Sequence, residues 1–265
     1  MLGLGSGLSS LGVLQGSASF ANEYSINFDG TNDYFDTGST FQTTFRSSFT
    51  IGFWIKTTSL NTSAAEYFFG SFDLTGDFTV HHLQVTTAGA LSYQFGPEAQ
   101  YLTASTANGV LNTSNGTNGA WTHIGVVVNK VGSSSNTTAK IYVNGSDVTD
   151  STSQGVTGTE HEAYDAGTVK LAFGSLKIGT SNLYYWEGKM DEIAIWNTNL
   201  SDASMAVVGD SVFNLKAATG DYTNQSNLVS NWRFIEGSST SVEDATTNSD
   251  GILVNGPTWV TDTPS

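Results

Sequence analysis

The sequence predicts an all-β sandwich or barrel, and three observations carry that prediction. Apolar residues alternate with small or polar ones in many short segments from residue 20 onward, as in Phe49-Thr-Ile-Gly-Phe-Trp-Ile-Lys56, which is the period of a pleated strand. Loops rich in Asn, Gly, Ser and Thr separate these segments, among them 108–119 and 132–138. Only one helix signal stands out: Ser201 caps it, Ala203 to Val208 fill it and Gly209 ends it.

Taken in order, residues 1–22 form a flexible Gly/Leu-rich arm and residues 23–265 one folded domain. The arm carries Gly3, Gly5, Gly7, Gly12 and Gly16, which disfavour a helix, and lacks the basic start and continuous apolar run of a secretory signal. Its spaced Leu2, Leu4, Leu8, Leu11, Val13 and Leu14 read either as a docking segment for a neighbouring subunit or as a frayed terminus. The first strand follows, with Tyr24, Ile26 and Phe28 on one side and a turn at Asp29-Gly30. Trp121 opens a strand in which Ile124, Val126 and Val128 alternate with His123, Gly125 and Val127. Lys140-Ile-Tyr-Val143 runs into Asn144-Gly145, a type I′ hairpin signal. Val169 to Ile178 supplies a further strand, and Tyr184-Tyr185-Trp186 an aromatic cluster. In Glu187-Gly-Lys-Met-Asp-Glu-Ile-Ala-Ile-Trp196, Asp191 shares parity with Ile193 and Ile195, so its carboxylate is expected on the core-facing side.

Composition excludes several classes. The 265 residues suit one all-β domain. Nine Lys and Arg against 24 Asp and Glu give a net charge of −15, which repels phosphate backbones, so no nucleic-acid partner is expected. There is no cysteine, hence no disulfide scaffold, thiolate site or thiol nucleophile. No apolar run approaches the length of a membrane span, and no membrane partner is expected.

Five landmarks then occur in order: Phe28-Asp-Gly-Thr-Asn-Asp-Tyr34; Phe49 to Lys56; Trp121-Thr-His-Ile-Gly-Val-Val-Val128 with Lys140-Ile-Tyr-Val-Asn-Gly145; Gly188 to Trp196 with Leu200-Ser-Asp-Ala-Ser204; and Trp232-Arg-Phe-Ile-Glu-Gly237. Together they resemble the laminin-G-like, concanavalin A-like jelly roll, a sandwich of two antiparallel sheets, from about residue 23 to Trp259. The Leu228-Val-Ser-Asn-Trp-Arg-Phe block, the leucine arm and the missing signal peptide most resemble versions found in virions of tailed bacteriophages, especially marine ones.

The resemblance implies one structural calcium where the first turn meets the last long strand. The matching positions are Asp29, Asn32 and Asp33 in the turn and Asp191 in the strand, oxygen donors of the kind calcium takes. An Asx-stabilised turn with Asp191 bonded to backbone amides is the alternative. The fold also hosts glycan-cleaving enzymes, but the strand that would carry two glutamates and an aspartate at catalytic spacing is missing, and Glu160-His-Glu-Ala-Tyr-Asp165 reads as a solvated loop. No enzyme is predicted. His81 and His82 are adjacent, so a strand points them to opposite faces, and His123 is expected within the sheet. Tyr184, Tyr185, Trp186, Phe68, Phe69, Tyr93 and Tyr101 are the aromatic candidates for stacking on sugars, with core packing expected for most. The expected role is an oligomeric or arrayed virion structural or decoration protein, held to other virion proteins by its arm, with an outward lectin-like domain that contacts host-surface glycans. The alternative is a secreted or cell-surface carbohydrate-binding adhesion module, and a polysaccharide-cleaving enzyme is third.

Overall fold

A computed structural model of the chain describes residues 20–75, 79–97, 101–130, 137–154, 165 and 167–265. The arm up to residue 19, and Glu160, His161, Glu162 and Tyr164, lie outside the described residues.

Within them the chain forms β1 (Ser25–Asp29), β2 (Tyr34–Asp36), the helical turn α1 (Gln42–Phe45), β3 (Phe49–Lys56), β4 (Glu66–Phe72), β5 (Val80–Val85), β6 (Leu91–Gly96) and β7 (Leu102–Thr106). There follow β8 (Thr122–Asn129), β9 (Thr138–Val143), β10 (Ser146–Asp147), β11 (Thr149–Gln154), β12 (Ala172–Phe173), β13 (Leu176–Ile178), β14 (Ser181–Leu183) and β15 (Glu187–Trp196). Helix α2 (Asp202–Val208), a 3-10 turn at Gln225–Asn227, β16 (Leu228–Trp232), β17 (Ser241–Val242), β18 (Gly251–Val254) and β19 (Thr258–Val260) complete the order.

The strands make two sheets. The first runs β10-β9-β8-β3-β15-β1-β19, with β16 also paired to β15; the second runs β11-β7-β6-β5-β4-β12-β2-β18-β17, with β13 and β14 beside β4. Pairing is antiparallel except between β13 and β4. Ile51, Phe53 and Ile55 of β3 and Ile124, Val126 and Val128 of β8 share one continuous buried core with Phe69, Leu83, Tyr93 and Phe95 from the second sheet. Burial of each such side chain stabilises by about 1.5–3 kcal/mol, and the alternation that put these residues on one face is the alternation visible in the sequence. The fold is therefore an all-β sandwich of jelly-roll type, with the opening strand β1 lying between β15 and the closing strand β19.

Two local features match the sequence closely. Asn144 and Gly145 both take positive φ, 47° and 73°, as a type I′ turn requires. A side chain at 145 would also sit 2.7 Å from Ala206 Cα, so the hairpin packs directly on α2. Ser201 Oγ accepts the Ser204 amide at 3.1 Å, capping α2 as expected.

Two others differ. The segment expected as one strand from Val169 to Ile178 is broken into β12 and β13, because Gly174 turns at φ 80°. More consequentially, β15 does not keep one parity. Met190 pairs with Ile55 and Asp191 with Trp54, yet Ala194 pairs with Gly52, so one extra residue is inserted. Glu192 absorbs it at φ 47°, and such a bulge resets the in–out alternation. Met190, Ile193 and Ile195 point into the core, and Asp191 points to the outer face of the first sheet. That reverses the expectation from simple alternation.

Candidate functional site

The two outer faces of the sandwich differ. On the first sheet, Val127, Tyr142, Ala194 and Trp196 are covered by Leu200, Met205, Val208, Leu215 and Tyr222 from α2 and the segments flanking it. Trp196 Nε1 donates to the Tyr222 hydroxyl at 3.0 Å, which donates to Leu215 O at 2.7 Å, so this lid is bonded as well as packed. On the second sheet, no helix covers the outer face of β4 to β7 among the described residues.

That face is built by strict alternation. Leu83, Val85, Leu91, Tyr93, Phe95, Leu102 and Ala104 go inward and are buried, leaving His82, Gln84, Ser92, Gln94, Thr103 and Ser105 outward. Register places them as a lattice: His82 faces Gln94, Gln84 faces Ser92, Ser92 faces Ser105 and Gln94 faces Thr103. Three inter-strand steps from β4 to β7 make the shelf about 14 Å wide. Among these six outward residues only His82 is titratable, and burial lowers its pKa to about 4.

One margin of the shelf is aromatic. Tyr67 is the cross-strand partner of Gln84, and its ring lies 5.1 Å from the His82 ring and 5.3 Å from that of Tyr184. Tyr184 is 51% exposed and sits at φ 56°, a conformation that costs a bulky residue of order 1–3 kcal/mol. The Tyr67 amide donates to Tyr184 O at 3.2 Å, fixing the turn that presents the ring. Among the other aromatic candidates, Phe68, Phe69, Tyr93 and Trp186 are buried core residues. Tyr185 and Tyr101 are half-buried, and the Tyr185 hydroxyl is spent on Asn182 O at 2.7 Å. Tyr67 and the polar lattice were not singled out from the sequence, although Leu91-Ser-Tyr-Gln-Phe95 and Leu102-Thr-Ala-Ser-Thr106 carry the alternation that builds it.

The expected calcium ligands separate into two places. Asp29 Oδ1 accepts the amides of Thr31 at 2.8 Å and Asn32 at 3.4 Å, and Asp33 Oδ2 accepts the Asp29 amide at 3.3 Å. Asn32 offers its carbonyl to Asn255 Nδ2 at 2.8 Å. This is an Asx-stabilised turn. Register sets Asp29 opposite Glu187, so Asp191 lies four residues further along β15, about 13 Å away. Asp191 is fully buried and bonded elsewhere: Oδ2 accepts Asn22 Nδ2 at 3.0 Å and Oδ1 the Glu192 amide at 2.8 Å. Its neighbour Glu192 accepts Arg233 Nε at 3.2 Å, and Arg233 Nη2 reaches Ala21 O at 2.6 Å with its guanidinium over the Phe20 ring. Burial and the Glu192 charge hold the Asp191 carboxyl well above the usual carboxylate range, and burial pushes Glu192 up to about 7 against the pull of Arg233. Asp29, Asn32, Asp33 and Asp191 therefore do not fit one coordination shell. Among the described residues no three His, Asp or Glu side chains gather into a metal-holding group.

The histidines follow the sequence reading. His81 packs against Phe45 at 4.3 Å and Phe95 at 5.1 Å inside the core, His82 lies on the outer face, and His123 stacks edge-on to Trp54 at 5.3 Å within the sheet. No helix among the described residues is long and apolar enough to cross a membrane.

Residues 29–206 match the concanavalin A-like lectin/glucanases superfamily. A search of curated proteins found no match. Among solved structures, a Bacteroides ovatus protein whose name proposes carbohydrate binding superposes with a TM-score of 0.61 at 19% identity. The match covers 91% of this chain, which spans 61% of that one. The CBM40 module of a Ruminococcus gnavus IT-sialidase gives 0.52 at 17% identity, over 70% of this chain and 96% of the module. A NanB sialidase of Streptococcus pneumoniae gives 0.50 at 15% identity, over 69% of this chain but 27% of that enzyme. At these identities the likeness is one of fold. With two thirds of its length matched and its two-sheet jelly roll, this chain belongs to the concanavalin A-like lectin/glucanase superfamily.

Proposed function

We propose that this domain is a glycan-binding module whose ligand lies on the outer face of β4 to β7. One observation carries the reading: an exposed, conformationally strained Tyr184 is paired with Tyr67 at the margin of an amide and hydroxyl lattice, on the outer sheet face that α2 leaves uncovered. A flat aromatic face complements the C–H surface of a pyranose, and orienting polar groups beside it supply specificity. The names of two structural neighbours point to carbohydrate binding as well. Replacing Tyr67 and Tyr184 together by Ala in the intact chain should abolish retention on a glycan array; unchanged retention would refute the assignment.

Binding rather than cleavage is part of the proposal. The acid pair Asp191 and Glu192 is consecutive, buried and bonded to Asn22, Asn231 and Arg233, so neither carboxylate is offered to a substrate as glycoside hydrolysis requires. The sialidase match spans about a quarter of that enzyme. Absence of turnover on laminarin-type and alginate-type polymers is the expected result.

A second, compatible reading is that the module decorates a phage virion and is anchored by its arm. It is favoured by the fastening of residues 20–22: Arg233 holds Phe20 and Ala21, Asp191 holds Asn22, and Thr263 Oγ1 donates to Asn22 O at 3.1 Å. A segment leaving from such a fixed root suits an anchoring arm. Deleting residues 1–19 should leave the fold intact and abolish incorporation into particles; normal incorporation would refute it.

A further inference from the structure

We infer that the ligand of the β4–β7 shelf is an uncharged oligosaccharide and that sugars bearing a carboxylate are rejected. The inference rests on glycan binding at this face. The shelf offers Gln84, Gln94, Ser92, Thr103 and Ser105 outward. An amide presents a donor pair beside an acceptor and a hydroxyl does both, a set that matches neighbouring sugar hydroxyls without needing an ionic partner. A carboxylate laid on the same lattice would give up water for neutral donors only, whereas a buried or half-buried anion is stabilised by Arg or Lys.

Five of the chain's cations are already engaged by carboxylates. Lys177, beside β4, is bonded to Asp36 at 2.6 Å. Lys56 and Lys189, cross-strand partners on the outer face of the first sheet, both converge on Asp262, where Trp121 Nε1 also donates at 3.1 Å. Arg233 is held by Glu192 and Lys140 by Asp147 and Asp202. These five are held by the chain's own carboxylates, and the outward positions His82, Gln84, Ser92, Gln94, Thr103 and Ser105 supply no Lys or Arg to an acidic sugar. The net charge of −15 adds a long-range repulsion to any anionic ligand. Width points to the same class of ligand: about 14 Å of lattice exceeds one pyranose and suits an oligosaccharide stretch.

The test uses the intact chain, calorimetry, and two matched probe sets: lactose, cello-oligosaccharides and laminari-oligosaccharides on one side, sialyllactose and oligogalacturonate on the other. A neutral probe should bind at least about tenfold tighter than its carboxylated counterpart, with little dependence on salt. In Gln94→Lys, whose substitution lies on the outward face and spares the core, the sialyllactose penalty should shrink or invert. Tighter binding of the carboxylated probes by the parent chain would leave glycan binding standing and overturn the inference. Binding of none of them by protein with an intact β-sheet spectrum would remove the proposed function and the specificity with it.

Discussion

Tyr67 and Tyr184 bring their rings to 5.3 Å with a 33° tilt, and they come from elements that are distant in sequence, β4 and the turn after β14. The bond from the Tyr67 amide to Tyr184 O ties the pairing to the backbone as well as to the rings, and a margin held in this way would lower the ordering cost of the proposed binding.

Because Tyr184 is half exposed and sits in the left-handed region, its removal should separate binding from stability. Tyr184→Ala is expected to weaken neutral-glycan binding about tenfold while shifting unfolding free energy by no more than about 0.5 kcal/mol. Tyr184→Gly should lose the same binding yet melt at or above the parent temperature, since glycine takes positive φ without strain. Thermal melts with parallel calorimetry read both.

The buried acid pair predicts an asymmetry between its two carboxylates. Arg233→Met strips Glu192 of its bonded cation and should cost about 3–5 kcal/mol. Asp191→Asn should cost about 1 kcal/mol or less, because burial already favours the uncharged carboxyl and Asn22 Oδ1, buried without a partner, can turn to accept the new amide. Urea unfolding of both variants at a pH about one unit above the Glu192 value, where its carboxylate is ionised, checks the ordering, and equal losses would contradict a charged Glu192 there.

Acid sensitivity follows from the histidines. Burial lowers His82 to about 4 and His123 to about 3, below the unfolded value near 6.5, so the unfolded chain takes up the protons first. Their contribution is intact above pH 6.5 and is lost as the pH falls, His82 continuing to about pH 4. Glu192, raised to about 7, works in the opposite sense, destabilising most above that pH, so a variant comparison is needed. His82→Gln should gain on the order of 2 kcal/mol relative to the parent between pH 7.5 and pH 5. A constant difference across that range would show that His82 is not held neutral.

Calcium is best tested through position. Asp29, Asn32 and Asp33 share one turn while Asp191 lies four residues along the partner strand from Glu187. Any effect of calcium or chelation on the melting temperature should therefore persist in Asp191→Asn and disappear in Asp29→Asn with Asp33→Asn. Loss of the effect in Asp191→Asn alone would contradict this separation.

Strand positions in this chain were readable where alternation is strict. Phe49–Lys56 appears as one strand with the expected inward set, and Asn144-Gly145 makes the expected turn. Reading failed where one residue changes the phase. Nothing in Met190-Asp-Glu-Ile marks Glu192 as the residue that bulges, and that single insertion moved Asp191 from the core face to the outer face. The proposed calcium positions turn on the same kind of detail: the family resemblance implies that β1 and β15 are neighbours, but register, set by pairs such as Ile26 with Met190, decides which residues meet and sets Asp191 four residues along β15 from the partner of Asp29. The aromatic margin needed three dimensions, since Tyr67 borders a shelf whose other members are ordinary Ser, Thr and Gln.

The most direct measurement is a backbone amide chemical-shift titration of the isotope-labelled chain with a neutral oligosaccharide that it retains. Perturbations should concentrate at Tyr67, Gln84, Gln94, Thr103 and Tyr184, with the lid residues Leu200 to Tyr222 on the opposite face unmoved. Perturbations gathered on the lid, or along the Asp29–Asp33 turn, with the shelf silent, would contradict the account.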